Sequence, residues 1–116
     1  MTNNVVAIAR RAAELIRSGW AQGAYARTAD GWLVLPCDPR AVCFCASGAV
    51  ERAYKELELD RREGIVALNK TFRDVIKGEG YRFPGMINYN DADGRTAEEV
   101  ASVFDCVAEM HEATVA

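Results

Sequence analysis

The chain has 116 residues, half of them apolar and 27% charged, with a formal net charge of −3. That is the size and balance of one globular domain rather than a disordered or fibrous chain. No apolar run approaches the ~20 residues a membrane-spanning helix needs, and Met1 to Ala7 lacks the basic and apolar blocks of a secretion signal, so a soluble cytoplasmic protein is expected.

The charge is unevenly spread. Residues 1–82 carry 13 Lys/Arg against 10 Asp/Glu, whereas residues 83–116 carry Arg95 alone against seven acids. An acidic final segment is a poor candidate for holding phosphate backbones, which needs clustered cations. Direct nucleic-acid binding through Arg10, Arg11, Arg17, Arg61 and Arg62 would require those five to share a face.

In chain order, Val5, Ile8, Ala12, Leu15 and Ile16 recur at helical spacing and predict a first helix from Asn4 to Ser18, capped by Thr2 or Asn3. Gly19 stands where a left-handed residue would close it. Residues 20–27 lead to Thr28-Ala29-Asp30-Gly31 and then Trp32–Leu35; Asp-Gly between two extended segments is a β-hairpin signal, and a lone hairpin must lean on other elements, with Trp20, Tyr25 and Trp32 as anchors. Asp38-Pro39 reads as N-cap and first residue of a second helix whose inner stripe is Val42, Cys45, Ala46, Ala49, Ala53 and Leu57. The small residues Ala46 to Ala49 point to close approach of another backbone or to a binding notch, since a helical glycine otherwise costs about 1 kcal/mol.

Asp60-Arg61-Arg62-Glu63 resembles the start of a third helix over 61–77, with Ile65, Leu68, Phe72, Val75 and Ile76 inward, ended by Gly78 and Gly80. Phe83-Pro84-Gly85 marks a turn. Thr96 and Glu99 form a capping box for a last helix burying Val100, Val103, Phe104, Val107 and Met110. The expected fold is mainly α: a single four-helix domain with one small β-hairpin between helices 1 and 2.

No chemistry-bearing constellation emerges. Cys37, Cys43, Cys45 and Cys106 read as free thiols; Cys43 and Cys45, on a helix, would point apart and could not share a metal. The polar turn Tyr89–Gly94 fails as a calcium loop, because Tyr89 and Val100 fall at two essential ligand positions. His111 is the sole histidine, and a Cys45–His111 pair has no third group to orient it. No metal, cofactor or catalytic residue is expected, and the chain is read as no enzyme. Two surfaces remain as candidates. The acids Glu98, Glu99, Asp105, Glu109 and Glu112 could dock a basic protein partner. The polar and aromatic set Trp20, Gln22, Arg40, Tyr89, Asn90 and Asp91, with Ser47, could gather in a ligand-binding cleft, or Asn90 and Asp91 could instead bond the exposed N–H groups of a helix start.

Gly19-Trp20-x-Gln22-Gly23-Ala24, Cys45-Ala46-Ser47-Gly48-Ala49, Asn90-Asp91 and Arg95-Thr96-x-Glu98-Glu99-Val100 resemble an uncharacterised family. It is a domain-of-unknown-function group of bacterial and phage proteins with the pattern GW-x-QGA … C-x-x-GA … WND … RT-x-EEV. The likeness spans about residues 8 to 110. Tyr89 stands where that family usually has Trp, and Phe44 where a Trp is common before the cysteine. The resemblance implies a compact helical domain with phage or mobile-element associations and brings no catalytic role. The leading expectation is therefore a small non-enzymatic regulator or inhibitor that binds another protein, with an anti-CRISPR-like role as its sharpest form. A second copy of the chain is kept open as a partner. The alternative is a small-ligand protein or enzyme using the Trp20–Asp91 cleft.

Overall fold

The computed structural model describes residues 4–81 and 85–115. The expected Thr2 or Asn3 cap and Phe83 and Pro84 of the expected turn lie outside them. Among the described residues five helices and two short strands follow in the order α1 (Asn4–Ser18), β1 (Ala26–Arg27), β2 (Cys43–Phe44), α2 (Ala46–Glu56), α3 (Ile65–Gly78), α4 (Met86–Asn90) and α5 (Ala97–Val115). The fold is mainly helical, as expected, but the four-helix count gives way to five because Met86–Asn90 winds into a single turn of helix where a polar turn was anticipated.

Helix α1 matches its periodicity: Val5, Ile8, Ala12, Leu15 and Ile16 are buried. It packs chiefly on α5 and then on α2. Helix α5 starts at the expected capping box. Thr96 N–H donates to Glu99 Oε1 at 2.9 Å, and Glu99 N–H donates to Thr96 Oγ1 at 3.2 Å. Val100, Val103, Phe104 and Val107 are buried, whereas Met110 lies past the covered face and is exposed. Phe72 of α3 joins α5 and α4, its ring centroid 5.1 Å from Phe104 and 5.9 Å from Tyr89. Burying three such rings contributes several kcal/mol to holding α3, α4 and α5 together.

Three local signals were answered differently. Helix α2 begins at Ala46 with Cys45 as N-cap, not at Asp38. Asp38 instead accepts from the Arg40 N–H at 2.8 Å, an Asx-type turn. Val42 and Leu57, placed by sequence in the inner stripe of α2, therefore fall outside the helix and are exposed. Asp60 repeats the pattern, accepting from the Arg62 N–H at 2.9 Å, so that α3 starts only after Gly64. Gly19 does not adopt the left-handed conformation. Its place is required because a Cβ there would sit 2.2 Å from the Val42 carbonyl oxygen.

The hairpin is also rearranged. Its tight turn exists: Gly31 N–H donates to the Thr28 carbonyl and Thr28 N–H to the Trp32 carbonyl, both at 2.9 Å. The returning segment, however, meets β1 only through a bridge between Arg27 and Leu33. The sheet partner of β1 is β2, antiparallel, with Ala26 opposite Phe44 and Arg27 opposite Cys43. Phe44 also bridges Trp20 on its other side. Four extended pieces thus lie side by side in the order Trp20, β2, β1, Leu33. Helix α2 is welded to this layer at Gly48, whose Cβ would meet the Tyr25 carbonyl oxygen at 1.9 Å. The close backbone approach read from Ala46–Ala49 is therefore present.

Candidate functional site

The densest polar cluster is built on Asn90, the last residue of α4 and fully buried. Its Oδ1 accepts from Trp20 Nε1 at 2.7 Å and from the Ala46 N–H at 3.0 Å. Its Nδ2 donates to the Ala21 carbonyl and to Asp91 Oδ1, both at 2.9 Å. Two acceptor and two donor positions are filled, the full capacity of an amide side chain. One residue thereby ties the end of α1, the first amide of α2 and the end of α4 into a single junction. Of the two roles open to Asn90, it performs the one at a helix start.

Gln22 and Asp91 brace the same junction from outside. Gln22 Nε2 donates to the carbonyls of Asn90 and Ala92 at 3.1 and 3.2 Å. Asp91 Oδ1 accepts from the Gly23 N–H at 3.0 Å. Trp20, Gln22, Asn90 and Asp91 are therefore brought together, as the cleft hypothesis required, but their polar atoms face one another. Beside them is an open pocket of about 190 Å³ lined by Gly23, Ala24, Tyr25, Cys45, Ile87 and Asp91. This is below the 300–1,000 Å³ of ordinary small-molecule sites.

The remaining members of the set go elsewhere. Tyr89 is buried, its hydroxyl donating to Glu79 Oε2 at 2.8 Å and its ring 3.7 Å beneath the Arg95 guanidinium. Burial and the neighbouring Glu79 push its phenol far above the ordinary value. Arg40 lies on the exposed 36–40 turn, bound to Asp38 at 2.9 Å. Its guanidinium and N–H hold the Asp38 carboxyl down to about 2. Ser47 sits in the first turn of α2.

Cys45 was read as a member of a helix stripe and is instead the residue before the helix. Its Sγ accepts from the Gly48 N–H at 3.3 Å, a thiol standing where Ser or Asn is usual. Burial pushes that thiol up, which disfavours the nucleophilic thiolate. Cys43 lies on β2, so the helical geometry used to set it apart from Cys45 does not apply. Among the described residues no group of three or more His, Cys, Asp or Glu side chains is placed to hold a metal ion.

The acidic set is largely engaged within the chain. Arg17 of α1 donates to both Glu98, at 2.8 Å, and Asp105, at 2.7 Å, while Arg10 pairs with Glu112. Glu99 is held by its own cap, and Glu109 is exposed. The arginines are answered in turn: Arg11 by Glu56 at 2.6 Å, Arg61 by Glu51 and Arg62 by Asp60. Charge that looked segregated along the sequence is matched in space between α1 and α5.

Sequence reasoning missed the most exposed apolar stretch. Trp32, Leu33 and Leu35 are 71%, 68% and 76% exposed, and Tyr25 is 54% exposed, so neither Tyr25 nor Trp32 anchors the hairpin. In this layer Ala26 and Phe44 are part of the core, and Trp20 and Val34 pack against it. The signal that could have revealed it is the unbroken run Trp32-Leu33-Val34-Leu35. A strand has two faces, and such a run on an outermost strand must leave one of them bare.

With the fold and these surfaces described, the class is a small helical domain bearing a short extended layer. The chain belongs to the family of unknown function DUF6197, whose model matches residues 1–110. No curated protein and no solved structure matches it.

Proposed function

We propose that this chain is a non-enzymatic protein-binding module, a regulator or inhibitor, whose contact surface is the outer strand Trp32–Leu35. The observation that carries the reading is the exposure of Trp32, Leu33 and Leu35 within four consecutive residues, whereas other exposed large apolar side chains, such as Val66 and Met110, stand singly in the sequence. Contiguous apolar patches of this kind mark interaction sites, and an exposed tryptophan is a characteristic anchor of protein interfaces. The acidic residues Glu98, Glu99, Asp105, Glu109 and Glu112 serve a smaller part in it, because Arg17 and Arg10 already neutralise three of them. The small-ligand alternative has less support: Arg40 is remote from the junction and Asn90 has no polar atom left over.

The test is capture of partner by immobilised chain, comparing the wild type with Trp32→Ser and with Glu98→Gln/Glu109→Gln. Loss of a stoichiometric partner with the first variant and retention with the second is expected. Equal capture by Trp32→Ser would remove the outer strand from the reading.

A further inference from the structure

The open pocket beside the Asn90 junction has the size of one side chain. Its volume of about 190 Å³ falls short of the ~300 Å³ at which small-molecule sites begin. It exceeds the ~150 Å³ of a cavity that takes a benzene ring. Tyr25 and Ile87 line it and are 54% and 43% exposed, whereas Cys45, which also lines it, is buried. The lining is held in place by bonds to its surroundings. The Tyr25 carbonyl accepts from the Cys45 N–H at 3.2 Å. Asp91 is fixed through one oxygen: Oδ1 accepts from the Gly23 N–H at 3.0 Å and from Asn90 Nδ2 at 2.9 Å. Two donors fill the lone pairs of that atom. Oδ2 receives no hydrogen bond or ion pair among the described residues.

We propose that this pocket receives a lysine side chain of a protein partner, its ammonium on Asp91 Oδ2. The inference rests on the reading of the chain as a protein-binding module and adds the chemistry of what it binds. Apolar walls beside a carboxylate match lysine, whose four-carbon stem packs on apolar surface while its charged head stays in a polar setting. Arginine fits less well. Its fork is strongest when both carboxylate oxygens accept in parallel, and Asp91 has only one to offer. A compact ammonium needs only one.

Charge complementarity carries the choice of a cation. Among the described residues no Lys or Arg lines the pocket. The arginine nearest to Asp91 in sequence, Arg95, is spent on Tyr89. Its Nε donates to that carbonyl at 2.9 Å, and its guanidinium lies 3.7 Å over that ring. The chain as a whole carries −3, which favours the approach of a basic partner. The position also suits the outer strand. Tyr25 directly precedes β1, and β1 meets Leu33 at Arg27, so the pocket adjoins the layer that carries Leu33 and Leu35.

Nuclear magnetic resonance titration of the isotope-labelled full chain with Nα-acetyl-lysine amide tests the assignment. Saturable shifts in the low-millimolar range are expected at the amides of Gly23, Ala24, Tyr25, Ile87 and Asp91. Nα-acetyl-norleucine amide keeps a straight apolar stem without the charge and should not saturate; the arginine amide should bind more weakly than lysine. Asp91→Asn retains the Oδ1 acceptor and removes the charge, so lysine binding should weaken about fivefold, the upper end for an exposed pair. Ile87→Ser cuts back the apolar wall at an exposed position and should weaken it too. Thermal midpoints confirm that both variants remain folded. Absence of saturable lysine shifts, equal binding of the norleucine amide, preference for the arginine amide, or unchanged affinity in either variant overturns the assignment. The module reading is decided separately. Trp32→Ser lies outside the pocket and should bind the lysine amide as wild type does, while capture of a foreign partner by that variant, lost or kept, decides the outer strand's part.

Discussion

The two tryptophans of this chain sit twelve residues apart and meet opposite fates. Trp20 is half-buried, leans on the core and gives its indole N–H to Asn90 at 2.7 Å. Trp32 is 71% exposed on the outermost extended piece of the layer. Around Trp20 the backbones at the ends of α1, α2 and α4 converge, and the side chains of Asn90, Gln22 and Asp91 answer polar groups there that no regular element satisfies. Around Trp32 the backbone is held on one side only, and nothing covers the side chains. The first region is closed upon itself, and the second is left open to solvent. A difference of that kind separates residues kept for the fold from residues available for function, and it can be broken by substitution.

The largest effect is expected at Asn90. Asn90→Leu leaves the Ala46 N–H, the Ala21 carbonyl and the Trp20 indole without their partner. Each unsatisfied buried group costs about 1–3 kcal/mol, so urea unfolding should show a loss of about 3–4 kcal/mol. Partial exposure of Trp20 lets water replace one bond, which holds the total below the sum. A loss under about 1 kcal/mol would mean that the junction is wet, and would return Asn90 to the candidate ligand set.

Next comes Gly48→Ala. In an open helix this change would stabilise by about 1 kcal/mol. Here the new Cβ would lie 1.9 Å from the Tyr25 carbonyl oxygen, a backbone atom that cannot swing away. The expected sign is therefore reversed, with a cost of about 2–3 kcal/mol in the same unfolding experiment. A stabilised variant would show that β1 and α2 can separate without penalty.

A smaller loss should follow Thr96→Ala, about 1 kcal/mol for the hydroxyl that caps α5. The Glu99 carboxyl is held below its ordinary 4.5, first by the Thr96 N–H and then by its hydroxyl. A lowered native value means that this contribution is complete above pH 4.5 and fades as pH falls through the depressed value. Thermal midpoints measured on either side of that window should show a shallower acid dependence in Thr96→Ala than in the wild type.

How much of this was legible depended on whether the deciding partner was near in sequence. α1 and the start of α5 were readable because apolar spacing and the Thr96–Glu99 box are local, and both are found where expected. The starts of α2 and α3 misled for one shared reason. Asp38 and Asp60 carry helix-cap chemistry, but each spends its carboxylate on the amide two residues on, closing a turn instead. For α2 the true boundary is imposed by β2, which pairs with β1 sixteen residues upstream and keeps residues 43–44 extended. The junction was half legible. Four of the six polar and aromatic candidates do meet, yet nothing local says that Asn90 Oδ1 would cap α2, forty-four residues back. Tyr89 is turned by helix geometry toward Phe72 and Glu79, and Arg40 stays with Asp38.

The smallest expected effect is the one that separates the two regions most cleanly. Trp32→Ser removes the largest exposed side chain of the outer strand and touches neither the core nor the Thr28–Gly31 turn, whose bonds are made by backbone groups and the Thr28 hydroxyl. Its unfolding free energy should lie within about 0.5 kcal/mol of wild type, as for exposed positions generally. Trp20→Ser, which breaks the bond to Asn90 and uncovers part of the core, should cost at least four times as much. If the two substitutions prove equally damaging, Trp32 is held by the fold. The outer strand would then be a structural wall rather than a surface kept free for a partner.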